Sequence, residues 1–212
     1  MRVIFLDVDG VLNSMYDAEQ QNNKKVFYDE VEDRPLKLLQ ELVNTTKAKI
    51  VISSTWRIGC ARDKNGMNHF GEALFQKLEN RLKDYGMEIY DITPVLRGSD
   101  KQRGDEIREW LKLHNDVKSF VILDDDSDMR EFTSTNLVKT TFEKGLQPEH
   151  IEVAKAILEA DTTDIDKFMD ILTRKWKEHP ELRFGQLVVN ILGTDPFYIE
   201  NANAINLINN YK

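Results

Sequence analysis

Two short apolar runs in this chain stop abruptly on carboxylates. RVIFL at 2–6 gives way to Asp7 and, after Val8, to Asp9 and Gly10. SFVIL at 119–123 gives way to Asp124, Asp125 and Asp126. A short apolar run bounded by acids or glycine fits a strand covered on both faces, the pattern of a parallel sheet. A third run, KIVIS at 49–53, ends in the hydroxyls Ser53, Ser54 and Thr55.

Helical patterns lie between these strands. Pro35 stands at the start of LKLLQELVNTT, where Leu36, Leu38, Leu39 and Leu42 share one helical face. Leu74, Phe75, Leu78 and Leu82 mark a helix over 71–85, stopped by Gly86. Ile107, Trp110 and Leu111 mark another over 103–114, and residues 147–160 a further one. MEIYDI at 87–92 and LVKTT at 137–141 read as strands, and 14–34 and 57–70 as loops. Strands alternating with helices predict an α/β fold, a parallel sheet flanked by helices with right-handed crossovers. Ligands of such sheets bind beyond the carboxyl ends of the strands. Asp7, the Ser53–Ser54 pair and the Asp124–Asp125 pair should therefore converge on one crevice.

The pattern changes near Ala160. IDKFMDILTRKWKEHP and LRFGQLVVNIL read as helices, DPFYIE as a turn and NAINLINNYK as a weak helix. The expected organisation is a domain over 1–160 and a small helical domain over 161–212. Gln186, Asn190, Asp195 and Tyr198 are the notable polar residues of the second, with packing and turn roles expected.

Composition narrows the setting. Cys60 is the single cysteine, which excludes an internal disulfide framework and suits a reducing compartment; a buried or loop thiol without chemistry is expected there. The first apolar run is too short for a secretory signal, and nowhere do about 18 apolar residues run together. A cytoplasmic protein without membrane contact is the expectation. The net charge of −8 argues against a broad nucleic-acid-coating face and leaves room for contact with one strand end.

The strand-end residues point to chemistry. Two carboxylates two residues apart, Asp7 and Asp9, can divide the work of nucleophile and proton donor. Carboxylates clustered with Asp124 and Asp125 repel one another and imply a bound cation. Hard oxygen ligands without His or Cys indicate Mg²⁺ rather than zinc. Ser53 or Ser54 offers a hydroxyl and a backbone N–H to a phosphate oxygen, and only one of the two should face the crevice. Lys101 or Arg103, just before the helix at Gly104, supplies a cation.

The ordered set DVDGV, SST, K-x-RG and DD resembles the haloacid dehalogenase (HAD) superfamily of aspartate-nucleophile phosphohydrolases over about residues 1–158. The finer pattern SSTWR, RGDEIREWL, VILDDDSDM and GLQPEH resembles the HAD domain group associated with RNA-repair proteins, common in bacteria and phages. The resemblance implies a Rossmann-like core and a Mg²⁺-dependent phosphatase. Asp7 would be the nucleophile that forms an aspartyl phosphate, and Asp9 the acid and base. Asp7, the Asp9 carbonyl, Asp124 and Asp125 would hold the metal. Ser54, or else Ser53, would grip the phosphate, and Lys101 is slightly favoured over Arg103 as the cation.

The gaps from Asp9 to Ser54 and from Ser54 to Lys101, each about 45 residues, leave no room for a large cap domain. In this superfamily that implies an open site, often used on macromolecules. The expected substrate is a nucleic-acid end phosphate, DNA or RNA; Thr55, Trp56, Arg57, Arg62 and Lys64 are rim candidates that could stack on a base and meet phosphates, the alternative being Trp56 in the core and the charges solvated. Alternatives are a nucleotidase, with the C-terminal unit as a cover, and an idle HAD fold whose C-terminal unit binds a protein partner. A metal-dependent nuclease is a weaker fourth. The C-terminal segment itself resembles a small bacterial and phage domain of unknown function.

Overall fold

The protein is described by a computed structural model. It describes residues 1–16, 30–160 and 163–193, together with Ala204, Leu207, Ile208, Asn210 and Tyr211; the side chains of 163–167 are not described. The chain divides into two compact units, Met1–Ala160 and Asp161–Lys212.

The first unit is a five-stranded sheet. Its strands are β1 (Arg2–Leu6), β2 (Lys49–Ile52), β3 (Ile89–Ile92), β4 (Ser119–Asp124) and β5 (Leu137–Lys139). They lie in the order β3-β2-β1-β4-β5, and every neighbouring pair is parallel. The helices between them are α1 (Asp33–Thr46), α2 (His69–Asp84), α3 (Arg103–Lys112) and α4 (Pro148–Glu159). Among the described residues no inserted segment forms a large cap.

Alternation along β1 decides the layering. Ile4 and Leu6 join one core with Leu36, Leu39 and Leu42 of α1, Phe75 and Leu78 of α2, and Ile151 and Ala154 of α4. Val3 and Phe5 join the other with Ile107 and Trp110 of α3. The sheet is thus covered on both faces, as its unbroken apolar strands require. Phe5 meets Trp110 edge-on, with ring centroids 5.3 Å apart. Cys60 is buried in the first of these cores, and burial pushes its thiol pKa up.

Most expected elements lie within a few residues of their sequence-based bounds. The two expected loops differ in detail. Residues Thr55–Arg57 form a 3-10 turn, capped by the Ser54 hydroxyl, which accepts from the Trp56 N–H. Residues 17–29 of the other loop lie outside the described residues. In the second unit α5 (Thr163–Glu178) and α6 (Phe184–Leu192) meet through a small core of Leu172, Leu187, Ile191 and Ile208. There Gln186 accepts from the Arg183 N–H and Asn190 donates to the Tyr211 hydroxyl, while Asp195 and Tyr198 lie outside the described residues.

Helix α3 approaches the loop after β4 closely. The Gly104 N–H donates to the Asp128 carbonyl, and a Cβ added at Gly104 would sit 2.4 Å from the Met129 backbone. Gly104→Ala should therefore lower the unfolding free energy by about 1–3 kcal/mol, the usual cost of overpacking, although alanine is the better helix former. Urea denaturation checks this, and a stabilised variant would show that the approach is looser than described.

Candidate active site

Strand pairing assembles the crevice. The Asp7 N–H donates to the Leu123 carbonyl, and the Ser53 and Ser54 N–H groups both donate to the Leu6 carbonyl. The chain therefore leaves β1, β2 and β4 at one level, and Asp7, Ser53, Ser54 and Asp124 emerge side by side. All four are buried. Gly10 makes the tight departure after Asp9 with φ +70°, and a Cβ there would lie 2.4 Å from Asp125 Oδ2. Only glycine suits both conditions.

The structure sets Arg103, not Lys101, in the crevice. Arg103 Nη1 donates to Asp7 Oδ1 at 2.8 Å and to the Ser53 carbonyl at 2.8 Å, and lies 3.5 Å from Asp124 Oδ2. Its placement follows from the start of α3, where the Arg103 N–H donates to Asp128 Oδ2. Lys101 is 42% exposed and its ammonium pairs with Asp100 at 3.7 Å. Of the two cations weighed, Arg103 is thus the one brought to the strand ends, whereas Lys101 precedes the helix and turns outward.

Burial and charge compete at these groups. Burial raises the Asp7 pKa against the opposing pull of Arg103 and of the Ser54 hydroxyl bond. Burial, then the neighbouring Asp7 charge, pushes Asp124 up to about 8. Asp125 is raised for the same two reasons. Burial alone would lower the Arg103 pKa, but Asp7, then Asp124 and Asp128, raise it, so the guanidinium stays charged.

Asp7, Asp124 and Asp125 each offer one carboxylate oxygen, and these oxygens lie within 4.8 Å of one another. The buried Asp124 Oδ2 accepts no hydrogen bond among the described residues. An all-oxygen set with an orphaned buried carboxylate oxygen fits a hard divalent cation such as Mg²⁺. The Asp9 carboxylate stands apart from this set. Its Oδ1 accepts from Asn13 Nδ2 at 2.9 Å and its Oδ2 from Trp56 Nε1 at 3.1 Å.

The rim expected from sequence needs revision at two residues. Trp56 is 4% exposed and cannot stack on a base. Arg57 is 2% exposed, and its guanidinium donates to the carbonyls of Thr93, Ser53, Ser54 and Pro94 and to Glu106. Arg57 therefore ties β2, β3 and α3 together, and no donor direction is left for a phosphate. Both corrections share one cause: the 3-10 turn folds the chain back inward directly after Ser54. Thr55 stays exposed, as do Arg62 and Lys64. The Ser54 hydroxyl hydrogen-bonds Asp7, whereas the Ser53 hydroxyl is buried with no hydrogen-bond partner among the described residues. Asn13 and Glu106 carry no reading from sequence. Asn13, four residues past Asp9 in a glycine turn, carried the one usable signal.

The raised carboxyl pKa values bear on stability. A carboxyl whose folded pKa lies above its unfolded value binds more protons when folded, so stability falls as pH rises. For Asp124 that window runs from 3.8 to about 8. A cation among the ionised carboxylates offsets the loss and binds only once they are ionised. A fixed Mg²⁺ concentration, a hundredfold over its Kd at pH 8, should therefore add about 2–3 kcal/mol of stability at about pH 8 and less at about pH 5, seen as a larger rise in melting temperature at the higher pH. Calorimetry at both pH values checks this, and an equal or reversed shift contradicts it.

A family model described as the HAD domain in Swiss Army Knife RNA repair proteins matches residues 3–151. No curated protein matches the chain. No helix among the described residues is long and apolar enough to cross a membrane.

Proposed function

The chain belongs to the family of HAD domains found in Swiss Army Knife RNA repair proteins, and from that membership and the crevice geometry we propose that it is a phosphatase that removes a terminal phosphate from a nucleic-acid end. The observation that carries the reading is the contact of Asp7 with Arg103 at 2.8 Å beside the Asp124–Asp125 pair. It supports a reading in which Asp7 is the nucleophile, Arg103 at the start of α3 the fixed cation, and Asp7, Asp124 and Asp125 the cation-binding oxygens.

Phosphoryl transfer asks chiefly for alignment and charge stabilisation. Asp7 attacks phosphorus, the bond to the leaving oxygen breaks, and Asp9 gives that oxygen its proton. Water then attacks the aspartyl phosphate, Asp9 takes the water proton, and inorganic phosphate leaves with Asp7 regenerated. Arg103 and the Ser54 hydroxyl border the nucleophile and offer donors to the phosphate oxygens. Asp7, Asp124, Asp125 and the Asp9 carbonyl would hold Mg²⁺, which when bound supplies positive charge to the phosphate oxygens.

The rim supports a polymeric substrate. Ile58, Met67 and Phe70 are 43, 60 and 75% exposed. They share one stretch of backbone, because the Asn68 N–H donates to the Gly59 carbonyl and the Ile58 carbonyl packs against Gly71. With Arg62 and Lys64 exposed on the same loop, that stretch offers apolar and basic contacts to nucleotides next to the reacting end.

Phosphate release from 3′- and 5′-phosphorylated RNA and DNA oligonucleotides should exceed release from the matching nucleoside monophosphates. It should require Mg²⁺ and fall by at least about 10³-fold in Asp7→Asn. Equal or faster turnover of mononucleotides would favour a nucleotidase. Strand cleavage without phosphate release would favour a nuclease.

A further inference from the structure

Asp9 differs from the other carboxylates of the crevice. Asp7 and Asp124 face the Arg103 guanidinium and Asp125 faces the Asp7 charge, but both oxygens of Asp9 are held by neutral donors. The Trp56 indole N–H donates to one and the Asn13 amide to the other. The Asn13 amide has its direction fixed, because its Oδ1 accepts from the Gly10 N–H at 3.0 Å, which leaves Nδ2 for Asp9. Trp56 has its position fixed as well. Its ring is buried in the core and its backbone N–H donates to the Ser54 hydroxyl.

We propose that Trp56 and Asn13 are positioning residues that hold the Asp9 carboxyl in the one orientation from which it can hand its proton to the leaving oxygen. This rests on the phosphatase reading above. An indole N–H is a donor only. It therefore occupies one lone pair of Oδ2 and can neither accept nor redirect the proton that Asp9 carries. With Asn13 on Oδ1, each oxygen keeps a lone pair on a side that neither donor fills, and the carboxyl plane cannot turn about its Cβ–Cγ bond without losing both hydrogen bonds. A phenylalanine ring would supply the same kind of packing at position 56. What the indole adds is one donor, and that donor points at the acid. Proton transfer depends steeply on the alignment of donor and acceptor, so a clamp on Asp9 acts on the chemical step.

The test separates clamp from packing by the leaving group. A 4-nitrophenolate leaves without a proton, whereas a ribose alkoxide needs one. The ratio kcat/KM covers only steps up to cleavage of the ester, so the later use of Asp9 as a base does not enter. Trp56→Phe should lower kcat/KM on a phosphorylated oligonucleotide by about tenfold, part of the roughly 10²–10⁴-fold that general acid catalysis supplies. On 4-nitrophenyl phosphate it should lower it by less than about threefold, because that leaving group draws little on the acid. Asn13→Ala should show the same selective loss, which covers the case in which Trp56→Phe fails to fold. In an Asp9→Asn background, Trp56→Phe should change neither rate further, since the group it acts through is gone. Equal losses on both substrates, or a full additional loss in the Asp9→Asn background, would mean that Trp56 serves packing alone and overturns the clamp. A wild-type protein that releases phosphate from neither substrate overturns the phosphatase reading itself, and the clamp falls with it; that pattern is distinct from either of the others.

Discussion

Everything at the crevice depends on the register between β1 and β4. Leu6 stands opposite Leu123, so the next residue of each strand, Asp7 and Asp124, must emerge together. No side chain chooses this proximity. The backbone ladder imposes it, with the Asp7 N–H bound to the Leu123 carbonyl. Two buried carboxylates are thereby forced into a neighbourhood that neither would occupy alone, and the rest of the site answers that fact. Arg103 spans both, Ser54 bonds one, and the orphaned oxygen of Asp124 leaves a position that a hard cation would satisfy.

Two arginines divide the electrostatic labour. Both donate to the Ser53 carbonyl, Arg57 from the core side and Arg103 from the crevice side. Arg57 is the structural one, buried on β2, β3 and Glu106. Burial lowers its pKa, the Arg103 charge lowers it further, and Glu106 opposes both. Arg103 lines the crevice, with carboxylates ahead of it and the start of α3 behind. A guanidinium suits both positions because its planar fork can satisfy several oxygens at once, which a lysine ammonium cannot do in a fixed plane.

The strand-end acids were legible because burial on both faces leaves a plain mark: apolar residues up to the last position, then abrupt polarity. The parallel sheet, its flanking helices and the convergence of Asp7, Ser54 and Asp124 follow from that mark and from strand alternation. The choice between Lys101 and Arg103 was not legible, since it turns on where α3 begins relative to Asp128, a contact 25 residues away along the chain. The placement of Trp56 and Arg57 stayed open for a related reason. Directly after a strand end an aromatic and an arginine resemble rim residues, and only the 3-10 turn capped by Ser54 shows that they fold inward. Asn13 was missed because an asparagine in a glycine turn is usually there for the turn.

The strand order has a consequence for how the chain is made. β1 precedes the other four strands of the sheet in the chain, yet it lies in the middle, with β2 on one side and β4 on the other. Its second edge has no partner until residues 119–124 exist. Over the more than 110 residues made between β1 and β4 the chain therefore carries an apolar strand with an open edge, the kind of surface that invites pairing with other chains. The acids that follow β1 stay dispersed until that edge closes. Affinity for a cation should then arrive in one step with the last central strand rather than accumulate along the nascent chain.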